Sequence, residues 1–367
     1  MTPSDTADAT GAAGTAGTAQ ATGTADASGT ADASGTADAS GTAGATGTVG
    51  TTARRLSAAA VVAALALAPF VLGSYAIGTL SRILVFGLLA ISVNLLTGLT
   101  GLPTLGQSAY FGVGAYTAAI VATRLTDIGI LQLLIAAGVS ALVAVPTGWL
   151  AVRARGVVFL MLTLAIGEIV YSAAVNWKSL TNGTDGLSGV PPVAPLPGMP
   201  ALALDGLVYF YVLAVFLLLF ALVSRLGSTP FALALRGIRD NEPRMKAIGY
   251  PTRRYALTVY CGAGALAGAA GSLWVSVQRF VSPGDAGFEI AALALLAVVI
   301  GGSGSMWGAC AGAALVWLTR DYLGNLEAVA GRGPLLLGLL FVIAVYTLPR
   351  GLAGVRLPLK PTRKGTA

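Results

Sequence analysis

About ten apolar segments, separated by short polar connectors, occupy most of the chain. Hydrocarbon offers the backbone no hydrogen-bond partner, so apolar segments of this length predict membrane-spanning helices, whose N–H and C=O groups bond to one another. The sequence therefore predicts an all-α integral membrane protein with about ten transmembrane helices, some of them short or broken by glycines. The segments lie at roughly 56–76, 80–97, 105–123, 131–152, 157–177, 207–224, 254–277, 288–302, 304–320 and 334–349.

The composition indicates a membrane environment. Hydrophobic residues make up 55% of the chain and charged residues 10%, whereas soluble domains carry about 25% charged residues. The net charge of +7 is not the footprint of a nucleic-acid-binding protein, because the basic residues stand mainly at the ends of apolar segments. We therefore expect a lipid bilayer around the chain and no nucleic acid among its partners.

The sequence contains no histidine and no Gly-Lys dipeptide. Without histidine, neither a Ser/His/Asp nor a Cys/His catalytic set can form. Without Gly-Lys, there is no phosphate-binding loop of the Walker type. We expect no enzyme activity, no metal site and no cofactor in this chain. If ATP drives its action, another chain must bind and hydrolyse the ATP.

Residues 1–52 are of low complexity, and the motif GTADAS recurs around residues 23–40. They include several Asp residues, no Lys or Arg and almost no large apolar side chain. Such a segment cannot bury enough apolar surface to offset its ordering entropy, which predicts a disordered tail. The predicted transmembrane domain follows at 53–350, and a basic tail at 351–367 follows that domain.

Positive charges predict the orientation, because they favour the cytoplasmic side of a membrane. Ten crossings would place Arg54, Arg55, the basic loop 228–255 and the tail 351–367 on one side. We therefore expect both termini and this loop to be cytoplasmic. The loop 178–206, rich in turn residues and proline, is expected on the outer side, either as a connector or as a cap that contacts a partner.

The segment from Ser228 to Tyr255 is strongly charged, whereas the chain around it is apolar. A helix in this segment would place Leu233, Arg236, Gly237 and Asp240 on one face, and Gly249 before Pro251 would end it. One interpretation is a short cytoplasmic helix on which a soluble partner docks. The alternative is a solvated basic loop that only sets the topology.

Two glycine-rich stretches, 98–116 and 301–312, each link two apolar segments on the predicted cytoplasmic side. Glycines spaced four residues apart let helices approach closely, which favours dense packing. Broken helices also free backbone groups that can line a route for a polar solute. The candidate residues for such a route are Asn94, Gln107, Ser108, Tyr110, Gly301, Gly302 and Gly304.

Glu168 is an acid well inside an apolar segment. A charge in that position is costly and normally faces a cavity or a partner. Three interpretations stay open: a site for an ammonium group or a proton, a structural hydrogen-bond hub, and a residue near the helix end that reaches water. The first interpretation adds Glu168 to the candidate route.

Several sequence blocks together resemble the signature of the branched-chain amino acid ABC importer permeases, and the match is closest to the LivM type. The blocks span about residues 80–320 in the order of that family, and close relatives of the family move urea or short amides. The blocks are NLLTGLTGLPTLGQSAYFGVGAYTAA, RGVVFLMLTLAIGEIV, NGTDGLSGV, LRGIRDNEPRMKAIGYPTRRY, GALAGAAGSLW and VVIGGSGSMWGACAGAAL.

The resemblance implies a non-catalytic permease subunit of an importer in a bacterial cell membrane, with a route for branched-chain (hydrophobic) amino acids. It implies four partners: a second homologous permease subunit, two cytoplasmic ABC ATPase subunits that bind the ATP, and an extracytoplasmic solute-binding protein. The segment 234–249 then matches the cytoplasmic coupling segment, although many members carry small residues where this chain has Arg244 and Lys246. The predicted coupling residues are Arg236, Arg239, Asp240, Asn241, Glu242 and Gly249.

Two other functions remain open from the sequence. A urea or short-amide permease would keep the same architecture and change only the solute. A stand-alone carrier coupled to ions or protons would need no ATPase, and Glu168 together with the two glycine breaks motivates it.

Overall fold

A computed structural model of the chain describes residues 60–71, 73–195 and 204–324, and the single positions 197, 202, 338, 339, 342, 351 and 352. The predicted disordered tail at 1–52 lies outside the described residues. So do nearly all of the tenth apolar segment, 334–349, and nearly all of the basic tail. The predictions for these three regions therefore stay predictions.

Nine of the ten predicted apolar segments coincide with helices in the described part of the chain. Five helices, α2, α4, α5, α7 and α10, are long and apolar enough to cross a membrane. The chain is thus an α-helical, multi-pass membrane protein, and the count of ten crossings stays a prediction. The helices are α1 (Ala60–Val71), α2 (Ser74–Thr100), α3 (Gln107–Arg124), α4 (Gly129–Ala151), α5 (Gly156–Asn176), α6 (Lys178–Thr181), α7 (Asp205–Leu226), α8 (Pro230–Asp240), α9 (Glu242–Ala247), α10 (Thr252–Gln278), α11 (Phe288–Gly301) and α12 (Met306–Gly324).

Helix α2 is the centre of the described bundle. At 27 residues it is about 40 Å long, and nearly all of its apolar length is buried. Helices α7, α10, α11 and α12 pack around it. By contrast, most residues of α4, α5 and α7 are exposed or half-buried, so the outer faces of these helices meet lipid or other chains.

Glycines set the distance between α10 and its neighbours. A Cβ on Gly268 would collide with the Ser140 side chain of α4, and a Cβ on Gly271 would collide with the carbonyl oxygen of Phe111 in α3. Helices can approach this closely only where one of them carries no side chain. The packing interpretation of the glycine spacing in α10 is therefore confirmed.

The second glycine series packs α12 against α11. Gly301 at the end of α11 lies on the backbone of Gly308, and Gly312 lies on the carbonyl group of Ala297. Gly304 belongs to the turn between the two helices, where its φ of 94° is in the left-handed region that favours glycine. Dense packing thus explains Gly301 and Gly312, whereas Gly304 shapes a turn.

The described part of the loop 178–206 forms an ordered cap rather than a loose connector. Two two-residue strands, β1 (Leu187–Ser188) and β2 (Phe280–Val281), pair antiparallel and tie the loop to the end of α10. The backbone of Ala194 also bonds to Asp127 and Gly129, at 2.8 and 2.7 Å, between α3 and α4. Contact between this cap and a partner stays a prediction.

Two glycines of α10 test the packing. We expect Gly268→Ala to destabilise the protein by about 1–3 kcal/mol, because the added methyl group overpacks the contact with Ser140. Gly262→Ala adds the same methyl group where no atom lies within 4 Å, so it should be neutral or stabilising by up to about 1 kcal/mol. Thermal unfolding of the two purified variants measures the difference, and equal melting temperatures would contradict this packing.

Candidate functional site

The charged segment folds into two short helices. Thr229 caps α8, where its hydroxyl accepts a hydrogen bond from the N–H of Ala232 at 3.4 Å. Asn241 ends α8 and caps α9, where its side-chain oxygen accepts from the N–H of Arg244 at 3.0 Å. The predicted single helix is therefore interrupted at Asn241. The reason is Pro243, which lacks an N–H and would clash with the preceding turn of a continuous helix.

One face of α8 is buried and the opposite face is exposed. Ala232, Leu235 and Ile238 are buried, a spacing of three residues that marks one side of a helix. The predicted face is the opposite one: Leu233, Arg236 and Asp240 are exposed and Gly237 is half-buried. We call residues 230–247, which form α8 and α9, the α8–α9 platform.

Arg239 fastens this platform to the end of α2. One terminal nitrogen of its guanidinium donates to the carbonyl oxygen of Gly98 at 2.6 Å. Its aliphatic stem lies against Gly101, the left-handed residue that ends α2 with a φ of 70°. A cation at a helix C-terminus bonds the last free carbonyl groups and interacts favourably with the helix dipole.

Glu242 fastens the platform at a second point. Its Oε1 accepts from Arg155 at 2.7 Å, from Lys246 at 2.9 Å and from the hydroxyl of Thr252 at 3.1 Å. Burial alone raises the pKa of Glu242, but these donors and cations outweigh it, so the pKa lies below its ordinary value. The ionised carboxylate thus joins the α4–α5 turn, α9 and the start of α10.

The other predicted coupling residues have different surroundings. Arg236 donates to the carbonyl oxygen of Gly227, at the end of α7, at 3.2 Å. Asp240 is exposed on the outer face of α8. Gly249 is exposed with a φ of 92°, which ends α9 as predicted. Of the six residues, Arg239, Glu242 and Arg236 attach the platform to other elements, Asn241 joins its two helices, and Asp240 and Gly249 are exposed.

The two glycine breaks meet at the same end of the bundle. The side-chain oxygen of Asn94 in α2 accepts from the N–H of Gly304 at 2.8 Å, and Gly98 lies against the same glycine. Gly301 and Gly302 form the end of α11 just before this contact. The cavity beside Asn94 has a volume of about 40 Å³, which holds no more than about three water molecules. These residues are tightly packed in this conformation.

The remaining candidates on α3 are also buried. The hydroxyl of Tyr110 lies 2.7 Å from that of Thr147 and 2.8 Å from that of Tyr260, inside the packed core. Ser108 and Gln107 are each 1% exposed. The amide of Gln107 has no hydrogen-bond partner within the described ranges. The glycine breaks and the buried polar groups of α3 are thus packed within the described chain, and they do not border an open route here.

Glu168 lies on the exposed side of α5. Within the described part of the chain, no hydrogen bond or ion pair holds its carboxylate, which argues against a structural hub. It is the eighth residue before the end of α5, about 12 Å from that end. This distance is longer than a glutamate side chain. The interpretation of Glu168 as a residue that reaches water near the helix end stays a prediction.

The opposite end of the bundle carries a polar cluster that the sequence analysis did not assign. The hydroxyls of Tyr75 and Thr79 in α2 donate to Asp321 in α12 at 2.8 and 3.0 Å. Arg82 and Asp321 line a cavity of about 370 Å³ at this end. Arg82, in the third turn of α2, was the available signal, but Asp321, which lines the same cavity, lies more than 200 residues away in the sequence.

The contacts therefore place two sets of polar residues at opposite ends of α2. The α8–α9 platform and both glycine breaks lie at the C-terminal end, beside Gly98. The polar cluster with Tyr75 lies at the N-terminal end. This separation agrees with the predicted topology, in which the two ends of α2 face opposite sides of the membrane.

The sequence of the chain is similar to those of known proteins. The family described as branched-chain amino acid transport system / permease component matches residues 75–345. The chain is 27% identical over 321 residues to the high-affinity branched-chain amino acid transport system permease protein LivM of Escherichia coli, and equally to LivM of Salmonella typhimurium. Each alignment covers 82% of this chain and 75% of the relative.

A third relative is the probable branched-chain amino acid transport permease protein LivH of Methanocaldococcus jannaschii. It is 27% identical over 280 residues, which cover 73% of this chain and 88% of that protein. No solved structure matches the chain.

The attachment of the platform to α2 is testable at Arg239. We expect Arg239→Ala to raise the amide hydrogen-exchange rates of residues 230–247 by about tenfold, because a hydrogen bond from a charged group is lost. Arg244→Ala is the matched control, since no described contact involves the guanidinium of Arg244. Mass-spectrometric exchange measures both, and unchanged rates in Arg239→Ala would contradict the anchoring role.

Proposed function

The chain belongs to the family of branched-chain amino acid transport system permease components, and from that premise we propose that it is the membrane subunit of an ATP-driven importer. In this proposal the chain forms the route and has no catalytic role. Two cytoplasmic ATPase subunits bind and hydrolyse ATP, a second permease chain completes the membrane part, and an extracytoplasmic protein delivers the solute.

The observation that carries this proposal is the α8–α9 platform. A loop that only set the topology would need positive charge but no defined shape. Here two capped helices are held against α2 by Arg239, against α7 by Arg236 and against the α4–α5 turn by Glu242. Such a body moves as a unit when a partner pushes it, which is what a mechanical link requires.

The surface of the platform is suited to a protein partner in water. Leu233 is 68% exposed and Ile248, just beyond α9, is 64% exposed. Exposed apolar side chains surrounded by charges are typical of protein contact sites, in which apolar anchors supply affinity and the charged rim supplies orientation. Arg236 and Asp240 flank Leu233 on the exposed face. We propose that an ATPase subunit binds this face.

The anchors of the platform define how motion reaches the membrane. When the ATPase subunits close on ATP, the α8–α9 platform is displaced. Arg239 transmits the displacement to the end of α2, where the two glycine breaks meet. Glu242 transmits it through Arg155 to the beginning of α5. We propose that these shifts open and close the route.

The orientation and the solute also belong to the proposal. The platform carries the excess of basic residues and therefore faces the cytoplasm, which leaves the ordered cap at 178–195 on the outer side for the solute-binding protein. Branched-chain amino acids are the proposed solutes, because the LivM and LivH relatives are named for their transport. Both termini are cytoplasmic in this arrangement.

The docking of the ATPase is testable at Leu233. We expect Leu233→Asp to lower the amount of ATPase that co-purifies from the native membrane by about tenfold, as for loss of one apolar anchor of an interface. Leu125→Asp, the same change at a residue that is 71% exposed at the opposite end of the bundle, should leave the amount unchanged. Mass spectrometry of the purified complexes quantifies both.

Either of two results would contradict this proposal. The first is wild-type protein that purifies without an ATPase. The second is an equal loss of ATPase in the two variants.

A further inference from the structure

Helix α5 has one buried face and one exposed face. The buried residues follow a helical repeat and pack toward α3, α4 and α11. The exposed face is uncovered by the described chain along the whole helix. The buried residues are Phe159, Thr163, Ile166, Gly167 and Ala174. The exposed residues at the centre of the opposite face are Met161, Ala165, Glu168, Ser172 and Asn176.

The exposed face is polar in the half nearer the ordered cap. Glu168, Ser172 and Asn176 are spaced four residues apart, so they lie one above another on the helix. The amide of Asn176 donates to the carbonyl oxygen of Ser172 at 2.8 Å and to its hydroxyl at 3.2 Å. The other half of the same face carries Ala165 and Met161. We call these five residues the α5 track.

Lipid is an unsuitable neighbour for the α5 track. Glu168 stands about 12 Å from the nearer end of α5, at the depth of hydrocarbon, and the described chain offers its carboxylate no partner. An acid at that depth normally faces protein or a water-filled cavity. A soluble protein does not reach this depth. Among covers from outside the described chain, a second membrane-embedded chain with water between the two meets this requirement.

We propose that the α5 track borders a water-filled route at the contact with a second permease chain, and that the Glu168 carboxylate binds the α-ammonium group of the amino acid as it passes. This inference rests on the proposed function and names a residue of this chain that contacts the solute. The occupant of the exposed α5 face is the second permease chain.

The order of side chains along the α5 track suits an amino acid with an aliphatic side chain. The zwitterionic end of such a solute requires polar neighbours, which Ser172 and Asn176 supply on the way to Glu168. The aliphatic end requires apolar neighbours, which Ala165 and Met161 supply beyond it. Glu168 is a single carboxylate with no cation beside it in the described chain. Its charge can therefore pair with the single ammonium group of the solute.

The attachment of α5 explains how such a route is gated. Arg155, the residue before α5, is paired with Glu242 of the α8–α9 platform at 2.7 Å. Most residues of α5 are left unburied by the described part of the chain. A displacement of the platform therefore pulls on the end of a weakly packed helix, and the α5 track moves relative to the second permease chain.

Cysteine accessibility tests where the α5 track lies. In a background without the native thiols (Cys261→Ala, Cys310→Ala), Ser172→Cys and Ala165→Cys are probed in the full complex with a charged methanethiosulfonate reagent. We expect them to react about tenfold or more faster than matched cysteines at exposed apolar positions of α4 and α7, because thiolates form in water and not in hydrocarbon. Leu142→Cys in α4 and Leu218→Cys in α7 are the controls, with parent residues 70% and 66% exposed.

Transport by Glu168 variants tests the binding role. We expect Glu168→Gln to lower the rate of leucine uptake by about tenfold or more, because the charged partner of the ammonium group is removed. Glu168→Asp keeps the charge and should retain most of the uptake. Both variants should co-purify with as much ATPase as the wild type, which shows that they fold and assemble.

The outcomes separate this inference from the proposed function. If wild-type protein carries no ATPase, the proposed function fails. If the ATPase is present but the cysteines at 165 and 172 react as slowly as the controls, the α5 track faces lipid and this inference fails alone. Normal uptake by Glu168→Gln in an assembled complex would likewise overturn the role of Glu168.

Discussion

The cost of placing a charge or an unpaired polar group in hydrocarbon governs the arrangement of this protein. A charged side chain at the centre of a membrane costs at least about 2.5 kcal/mol. The charged side chains that make contacts in the described chain accordingly stand near the ends of long helices, in the short helices α8 and α9, or in turns. At one end Arg239 bonds the carbonyl oxygen of Gly98 in the last turn of α2, and at the other Asp321 accepts from hydroxyls of the same helix. Glu168 lies instead in the interior of α5, and an acid inside a membrane-spanning helix indicates a functional position.

The same constraint explains why glycine is so frequent. Helices in a membrane gain little from apolar burial, because lipid is as apolar as the side chains, and they associate through close packing instead. Gly268 and Gly312 allow α10 and α12 to lie directly on neighbouring backbones. The result is a tight core built around α2, against which α5 is loosely attached. The core is thus rigid, whereas α5 can shift against it. The α8–α9 platform bonds to α2 in the core and to Arg155, the residue before α5.

Much of this could be predicted from the sequence, because apolar length and glycine spacing are local signals. Nine apolar segments became helices close to the predicted bounds, and the exposed face of α8 holds Leu233 and Asp240 as expected. The interruption at Asn241 was missed, although Pro243 was a visible signal. Contacts between residues far apart in the sequence could not be predicted, because they leave no local pattern. Examples are the hydrogen bonds from Gly304 to Asn94 and from Thr79 to Asp321. The direction in which Glu168 points depends on the packing of all neighbouring helices, so the sequence left it open.

The most direct test of the account is uptake of labelled leucine by proteoliposomes that hold the complete complex, with ATP inside or outside the vesicles as its orientation requires. The account predicts uptake that needs ATP and the solute-binding protein, persists when a protonophore collapses the proton gradient, and is inhibited by unlabelled leucine and not by urea. Uptake that continues without ATP and stops with the protonophore would contradict it. In that case the α8–α9 platform would be a topology signal, and Glu168 would serve a proton-coupled carrier.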